Sequence, residues 1–271
     1  MSGRRHVIVV GGGFAGIGCV RKLARHDDVR VTLIDSNNYH QFQPLLYQVA
    51  TCQIAPNDIV SSLRQLVRER SNVDVKLAEV VAVDTEAHTV SVADGQTWTG
   101  DAVVLAAGSV PNFFRTPGAD LNRFPLYSLN DAERLRSRIL RLFEDADRDP
   151  RLIGLGALNF VVVGGGPTGV EVAGALGDMV RETMSLEYRD LDATVAGVHV
   201  VDHGRALLSA FSDTAHDYAA RVLRSKGVHL HLGVAVSEVA PGTAWRRRSA
   251  AGGSRPETPA CSRATGSART A

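Results

Sequence analysis

The fold is decided by residues 6–35, which read HVIVVGGGFAGIGCVRKLARHDDVRVTLID. Apolar and mostly β-branched residues at 6–10 predict a strand buried on both faces. A glycine-rich loop follows at 11–16, and residues 17–24 then place apolar side chains at helical spacing. A second apolar run at 29–34 predicts the next strand. This order of elements predicts a parallel strand–helix–strand unit.

The loop between the first strand and the helix has the G-x-G-x-x-G spacing of a dinucleotide-binding fingerprint. Gly11 permits a tight turn, Gly13 leaves the backbone open to a pyrophosphate, and Gly16 lets the helix pack closely on the sheet. The N-terminus of the helix offers free N–H groups and partial positive charge to phosphates. Asp35 ends the second strand and can accept hydrogen bonds from a ribose diol. These residues together predict a dinucleotide site.

A second copy of the pattern begins with NFVVVGGGPTGVEVAGALGDMV at 159–180 and is completed by VAGVHVVD at 195–202. Gly164, Gly166 and Gly169 repeat the glycine spacing, and Asp202 stands at the end of the second strand. Two dinucleotide sites in one chain suggest electron transfer between a flavin and a nicotinamide.

The composition restricts the class of protein. A chain of 271 residues can hold two domains, and its net charge of +1 shows no electrostatic footprint for nucleic acid. The three cysteines are widely spaced without a C-x-x-C pair, which favours a reducing compartment and argues against structural disulfides or a zinc site. No metal ligands are therefore predicted. No apolar run is long enough to span a bilayer.

The remaining chain alternates between short predicted elements. We expect a loop over the first nucleotide site after Asp35, and antiparallel strands at 79–100. Helices are expected at 129–143, capped by Ser128 or Asn130, and at 213–226, with Tyr218 facing inward. From Pro241 onward the sequence has no Leu, Ile, Val, Phe, Met or Tyr, which predicts a disordered tail over residues 241–271.

Four motifs resemble those of type II NADH dehydrogenases, the single-subunit NADH:quinone oxidoreductases among the flavoproteins with two dinucleotide-binding domains. The motifs are VVGGGFAGI at 9–17, FQPLLYQVAT at 42–51, VLAAGSVPNFF at 104–114 and FVVVGGGPTGVEVAG at 160–174. The second is the most specific, because other members of the superfamily lack it. The resemblance implies an α/β fold with two Rossmann-like domains and a small antiparallel meander. An incomplete FAD-binding domain would cover residues 1–115 and an NAD(H)-binding domain 116–240.

The resemblance also implies the residues that contact the flavin cofactor. The first fingerprint would bind FAD, the segment after residue 42 would lie along the flavin, and two further backbone segments would complete the near wall. The implied FAD-binding residues are Gly11, Gly13, Phe14, Ala15, Gly16, Asp35, Gln43, Pro44, Leu45, Val80, Ala107 and Gly108.

The second fingerprint would bind NADH by the same resemblance. Its implied binding residues are Gly164, Gly166, Pro167, Thr168 and Gly169, with Asp202 on the adenosine ribose. Glu171 would sit near the nicotinamide as the candidate catalytic residue. An acid at Asp202 repels a 2′-phosphate and favours NADH, whereas Arg205 nearby keeps NADPH open.

The implied reaction passes a hydride from NADH to FAD and two electrons on to a quinone, without proton pumping. The family is expected in the cytoplasm at the inner face of the cell membrane, and a homodimer stays open. After Ala240 the family's returning FAD segment, quinone-site helix and C-terminal membrane helices have no counterpart here. We therefore expect an N-terminal portion of the family pattern, followed by a tail from a truncation or a frameshift.

Two other functions stay open. Ferredoxin- or rubredoxin-type NAD(P)H reductases share both fingerprints without a cysteine pair. A truncated nucleotide-binding remnant without activity is the second alternative. Disulfide reductases are disfavoured, because Cys52 has no partner within sequence reach.

Overall fold

The computed structural model describes residues 4–192, 195–241 and, for the backbone alone, 243–248. The strands are β1 (Arg5–Val10), β2 (Val29–Asp35), β3 (Tyr39–Gln41), β4 (Val60–Ser62), β5 (Val73–Leu77), β6 (Val80–Asp84), β7 (Thr89–Val92), β8 (Thr97–Thr99), β9 (Ala102–Leu105), β10 (Asn159–Val163), β11 (Gly197–Asp202), β12 (Val228–Leu232), β13 (Val234–Ala240) and β14 (Thr243–Arg248).

The α-helices are α1 (Phe14–Leu23), α2 (Leu46–Ala50), α3 (Leu63–Val67), α4 (Ala119–Asn122), α5 (Leu129–Arg148), α6 (Arg151–Gly154), α7 (Pro167–Asp178), α8 (Ser185–Glu187) and α9 (Asp213–Ser225). Single 3₁₀ turns cover Gln43–Leu45 and Pro56–Ile59, and a π-helical segment, Met179–Met184, continues α7.

The chain divides into two compact units. The first unit comprises Met1–Gln43 and Pro56–Val110, and the second comprises Pro44–Ala55 and Pro111–Ala271. A short segment from the first half of the chain joins the second unit, and the domain boundaries expected from the sequence stay predictions. Helix α2 of that segment packs on α5 and α7. Tyr47 in α2 and Cys52 just after it contact the apolar core of the second unit.

The first unit is built on a parallel sheet in the order β5-β2-β1-β9. Successive residues of the central strands bury their side chains on opposite faces, as a strand covered on both sides requires. Val9 and Leu33 pack on one face with α1 and α3, and Ile8 and Ile34 pack on the other. The predicted parallel strand–helix–strand unit is confirmed.

The second face of this sheet is covered by the antiparallel meander β6-β7-β8. Val90 and Val92 of the meander are buried in one cluster with residues of the parallel sheet, and Trp98 packs against this cluster. Gly95 has a φ of +89°, as expected for the turn at Asp94-Gly95. The change of hydrophobic period in the sequence identified this meander correctly.

The second unit has a parallel sheet in the order β10-β11-β12. Its largest apolar cluster joins one face of the sheet to α5, α7 and α9, and Phe143 is completely buried there between Phe160 and Tyr188. Ser128 begins α5 with a reciprocal capping box in which Asp131 takes part. Ser128 is thus the cap, and this helix extends to Arg148, five residues past the predicted end.

One expectation about the second unit was wrong. Tyr218 is 60% exposed instead of facing inward, because Ala219 and Leu223, four residues apart, form the buried side of α9. Beyond Pro241, the backbone of β14 pairs antiparallel with β13. Strand pairing uses backbone groups, so it does not need the aliphatic side chains that residues 243–248 lack. Residues 242 and 249–271 of the expected tail lie outside the described residues.

We predict that Phe143→Ala lowers the free energy of unfolding of the second unit by about 4 kcal/mol, because it leaves a cavity beside two stacked rings. Urea unfolding followed by circular dichroism measures this change. Leu186→Ala is the matched control, since Leu186 is 77% exposed and its loss should cost less than about 0.5 kcal/mol. Equal losses in the two variants would contradict this assignment of the core.

Candidate nucleotide sites

The first glycine loop is tightly constrained at both ends. Gly11 has a φ of +103°, and a Cβ there would lie 2.3 Å from the Ala106 carbonyl oxygen. A Cβ on Gly16 would lie 1.8 Å from the carbonyl oxygen of Gly11. Only glycine fits either position, because any side chain would displace backbone atoms. These contacts bring the N-terminus of α1 close to the end of β1.

Gly13 differs from these two glycines because a Cβ there would have nothing within 4 Å. It is the N-cap of α1, and no side chain caps the helix. The first N–H groups of α1 therefore have no partner within the helix and border open space. An open cradle with free N–H groups and the positive end of a helix dipole suits an anion such as a pyrophosphate.

Asp35 lies beside this loop, as predicted. Its Oδ2 accepts the Gly12 N–H at 2.5 Å, and its Oδ1 accepts the Asn37 N–H at 2.6 Å. The carboxylate stabilises the loop and the turn after β2 at once. Each carboxylate oxygen has a further lone pair, so Asp35 can still accept a hydrogen bond from a hydroxyl.

The second loop repeats this geometry. Gly164 has a φ of +110°, and a Cβ on Gly169 would lie 1.9 Å from the Gly164 carbonyl oxygen. A Cβ on Gly166 would again have nothing within 4 Å. Asp202 accepts the N–H groups of Gly165 and Gly204, each at 2.6 Å. The two predicted fingerprints therefore adopt the same local structure in separate units.

Three other residues predicted to bind FAD, Phe14, Ala107 and Gly108, lie in or after the first glycine loop or in the segment that follows β9. Phe14 is half exposed and makes edge-on contacts with the rings of His40 and Phe42. Ala107 continues the backbone that borders Gly11, and Gly108 has a φ of +74°. The contact of these residues and of Ala15 with a cofactor stays a prediction.

The segment expected to lie along the flavin is divided between the units. Gln43 belongs to the first unit, whereas Pro44 and Leu45 belong to the second. Val80 begins β6 and pairs with Val92 in the meander. Their contact with a flavin likewise stays a prediction.

In the second site, Pro167 and Thr168 form the exposed first turn of α7, and Glu171 follows one turn later. Glu171 makes no hydrogen bond or ion pair with any residue that the structure describes. More than a third of its surface is exposed, yet partial burial raises the pKa of its carboxyl above the usual value. Glu171 is therefore an accessible carboxyl group near the start of α7.

Cysteine and histidine residues give no sign of a redox pair or a metal centre in the part of the chain that the structure describes. Cys19 and Cys52 are free thiols there, and Cys261 lies outside that part. His199 stacks on both His229 and His231 across β11 and β12. No group of three or more His, Cys, Asp or Glu side chains among the described residues is arranged to hold a metal ion.

Comparison with known proteins gives a consistent result. A family model described as pyridine nucleotide-disulphide oxidoreductase matches residues 5–259. The chain is 37% identical over 242 residues to the type II NADH:quinone oxidoreductase Ndh of Mycobacterium tuberculosis, and 35% identical over 249 residues to NdhA of the same organism. These matches cover 87% and 88% of this chain but 52% of each relative.

Among solved structures, the NDH2 of Plasmodium falciparum in complex with NADH is similar at a TM-score of 0.81 and 22% identity. That similarity covers 90% of this chain and 51% of the other, and it supports the fold. The chain thus spans about half the length of the curated relatives it matches. Within the described residues, no helix has the length and apolar character needed to cross a membrane.

We predict opposite tolerance for an added methyl group at two glycines of the first loop. Gly16→Ala should lower the free energy of unfolding by about 3 kcal/mol, because its Cβ would overlap backbone. Gly13→Ala should change it by only about 0.5 kcal/mol, because its Cβ would enter open space. Thermal and urea unfolding of the two variants measure both changes. Similar losses of stability in the two variants would contradict the different surroundings assigned to Gly13 and Gly16.

We also predict a pH-dependent effect of Glu171→Gln on stability. The raised pKa means that Glu171 loses its proton less readily in the folded chain than in the unfolded chain. The free energy of unfolding of the wild type therefore falls as the pH rises and Glu171 ionises. Glutamine cannot ionise, and the variant should equal the wild type at pH 3 and gain on it by pH 7. Because solvent screens the exposed side chain, the gain should stay below about 0.5 kcal/mol. Urea unfolding at both pH values measures it, and a gain at pH 3 instead would contradict the prediction.

Proposed function

The chain belongs to the pyridine nucleotide-disulphide oxidoreductase family, and on that premise we propose that it oxidises NADH through bound FAD and passes two electrons to a quinone. One observation carries this proposal. Each unit contains a glycine loop with an open cradle and its own carboxylate, and this repetition supports one dinucleotide site per unit. A protein that uses a single nucleotide needs only one such loop.

We assign FAD to the first loop. The cradle above Gly13 is open to a pyrophosphate, and Asp35 is close enough to the loop to receive the adenosine ribose. The residues present therefore fit the cofactor. The assignment of FAD to this loop, and not to the second, rests on the motif FQPLLYQVAT and on the similarity to type II NADH:quinone oxidoreductases.

We assign NADH to the second loop. Gly166 leaves the matching cradle open, and Asp202 is anchored beside it by two backbone N–H groups. A carboxylate at the end of β11 repels a 2′-phosphate, which favours NADH over NADPH. Arg205 is exposed three residues later, and its contact with a 2′-phosphate is the alternative that a comparison of NADH with NADPH would test.

The roles of the chain follow from these assignments. When bound, FAD would accept a hydride from NADH and pass two electrons on to a quinone. The free N–H groups at the N-terminus of α1 bind phosphate oxygens, and Asp35 orients the ribose. In the second unit Asp202 orients the ribose of NADH, and Glu171 offers a carboxyl group to steer the nicotinamide. The protein thus contributes binding and orientation.

The electron acceptor and the cellular location are part of the same proposal. Both mycobacterial relatives are named NADH:quinone oxidoreductases, and we extend this acceptor class to the present chain. We further propose peripheral association with the inner face of the cell membrane, where a quinone is available, and a reaction without proton pumping. Both follow from the resemblance to type II enzymes.

We expect the purified chain, reconstituted with FAD, to be yellow and to bleach on anaerobic addition of NADH. Addition of a soluble quinone should then restore the flavin absorption, and a ferredoxin should not. Two glycine variants separate the sites. Gly13→Ala should remain colourless, because its methyl group enters the FAD cradle, whereas Gly166→Ala should be yellow but resist bleaching by NADH.

Other outcomes would contradict the proposal in distinct ways. A folded chain that takes up no FAD would be a nucleotide-binding remnant, and reduction by NADH with transfer to a ferredoxin alone would indicate the other reductase class. A Gly166→Ala chain that bleaches like the wild type would reject the assignment of NADH to the second loop.

A further inference from the structure

The middle glycine of each loop is surrounded in the same way. Gly12 and Gly165 are both buried, and each donates its N–H to the carboxylate at the end of the following strand. A Cβ on either glycine would lie 2.8 Å from a methyl group of a fully buried leucine, Leu63 in the first unit and Leu207 in the second. The two units therefore constrain this residue by equivalent contacts.

The carbonyl oxygen of the middle glycine is also bound in both units, but by different donors. In the second unit the backbone N–H of Leu208 donates to the Gly165 oxygen at 2.7 Å. In the first unit Nδ1 of His40 lies 2.9 Å from the Gly12 oxygen. Because a carbonyl can only accept, this geometry requires the proton of His40 on Nδ1.

His40 reaches the loop from a small supporting ribbon. β3 and β4 pair antiparallel with His40 opposite Ser61, and the Leu63 N–H donates to the Asn38 carbonyl at 3.0 Å. The imidazole is partly buried and lies edge-on to the ring of Phe14, with ring centroids 5.1 Å apart. His40 of the ribbon and Leu63, the residue that follows β4, thus both contact the position of Gly12.

The bound carbonyl determines where the next N–H points. The Gly12 carbonyl and the Gly13 N–H belong to one planar trans peptide, so they point in opposite directions. A hydrogen bond that holds the Gly12 oxygen toward His40 therefore holds the Gly13 N–H away from it. That N–H begins the row of free donors at the N-terminus of α1.

We propose that His40 is a positioning residue for FAD: its Nδ1–H orients the Gly12–Gly13 peptide so that the loop presents its N–H groups to the pyrophosphate. This inference rests on the proposed function of the first loop. The second loop uses a backbone donor for the same task, so a side-chain substitution at residue 40 should affect one nucleotide only.

Two substitutions at His40 separate the hydrogen bond from ring packing. The side-chain nitrogen of asparagine occupies about the same place as histidine Nδ1, so His40→Asn keeps the donor and loses the ring. His40→Phe keeps a ring against Phe14 and loses the donor. The 271-residue chain and both variants are titrated with FAD by flavin fluorescence, and with NAD⁺ by calorimetry as an internal control.

The expected result is a Kd for FAD about tenfold higher in His40→Phe and within about twofold of wild type in His40→Asn, the size of one lost hydrogen bond. The Kd for NAD⁺ should not change in either variant. If thermal unfolding shows that His40→Phe disrupts the first unit, His40→Gln replaces it as the variant that lacks a donor at the δ position.

Three results would overturn the inference. Equal FAD affinity in all variants would show that the hydrogen bond does not position the loop. Weak binding by His40→Asn with normal binding by His40→Phe would assign the effect to ring packing. A wild-type chain that binds NAD⁺ but no FAD would reject the proposed function itself, which the other two results leave intact.

Discussion

Both candidate nucleotide sites depend on a hydrogen bond from a backbone N–H to a carboxylate at the end of a strand. In each unit the acid accepts the N–H of the middle glycine, at 2.5 Å for Asp35 and 2.6 Å for Asp202. This bond joins the end of the second strand to the loop after the first strand, so the parallel pairing of the two strands sets its length. The acid that would orient a ribose therefore also shapes the phosphate cradle.

The glycine requirements follow from this arrangement and differ in kind. Gly11 and Gly16 are required by the protein itself, because a Cβ on either would overlap backbone atoms. Gly13 is not, since a methyl group there would meet only open space. When no contact within the protein requires a glycine, a ligand that fills the space beside it can explain why the residue is small. The same contrast between Gly169 and Gly166 supports a second, independent ligand site.

The sequence was sufficient to predict both parallel units, both acids and the meander, because each depends on local periodicity and glycine spacing. It was insufficient where tertiary contacts decide. The assignment of Pro44–Ala55 to the second unit depends on the packing of α2 against α5 and α7, which lie far away in sequence. His40 had no motif of its own, and only the pairing of β3 with β4 brings it to Gly12. Tyr218 is exposed because the buried side of α9 begins at the next residue, Ala219.

We propose that one chain holds two different dinucleotides at two separate loops. Native mass spectrometry of the purified chain with FAD and NAD⁺ tests it most directly, because the oxidised pair does not react. We expect a complex with one FAD and one NAD⁺ per chain, and loss of FAD alone in Gly13→Ala. A single nucleotide per chain, with FAD and NAD⁺ displacing each other, would contradict it.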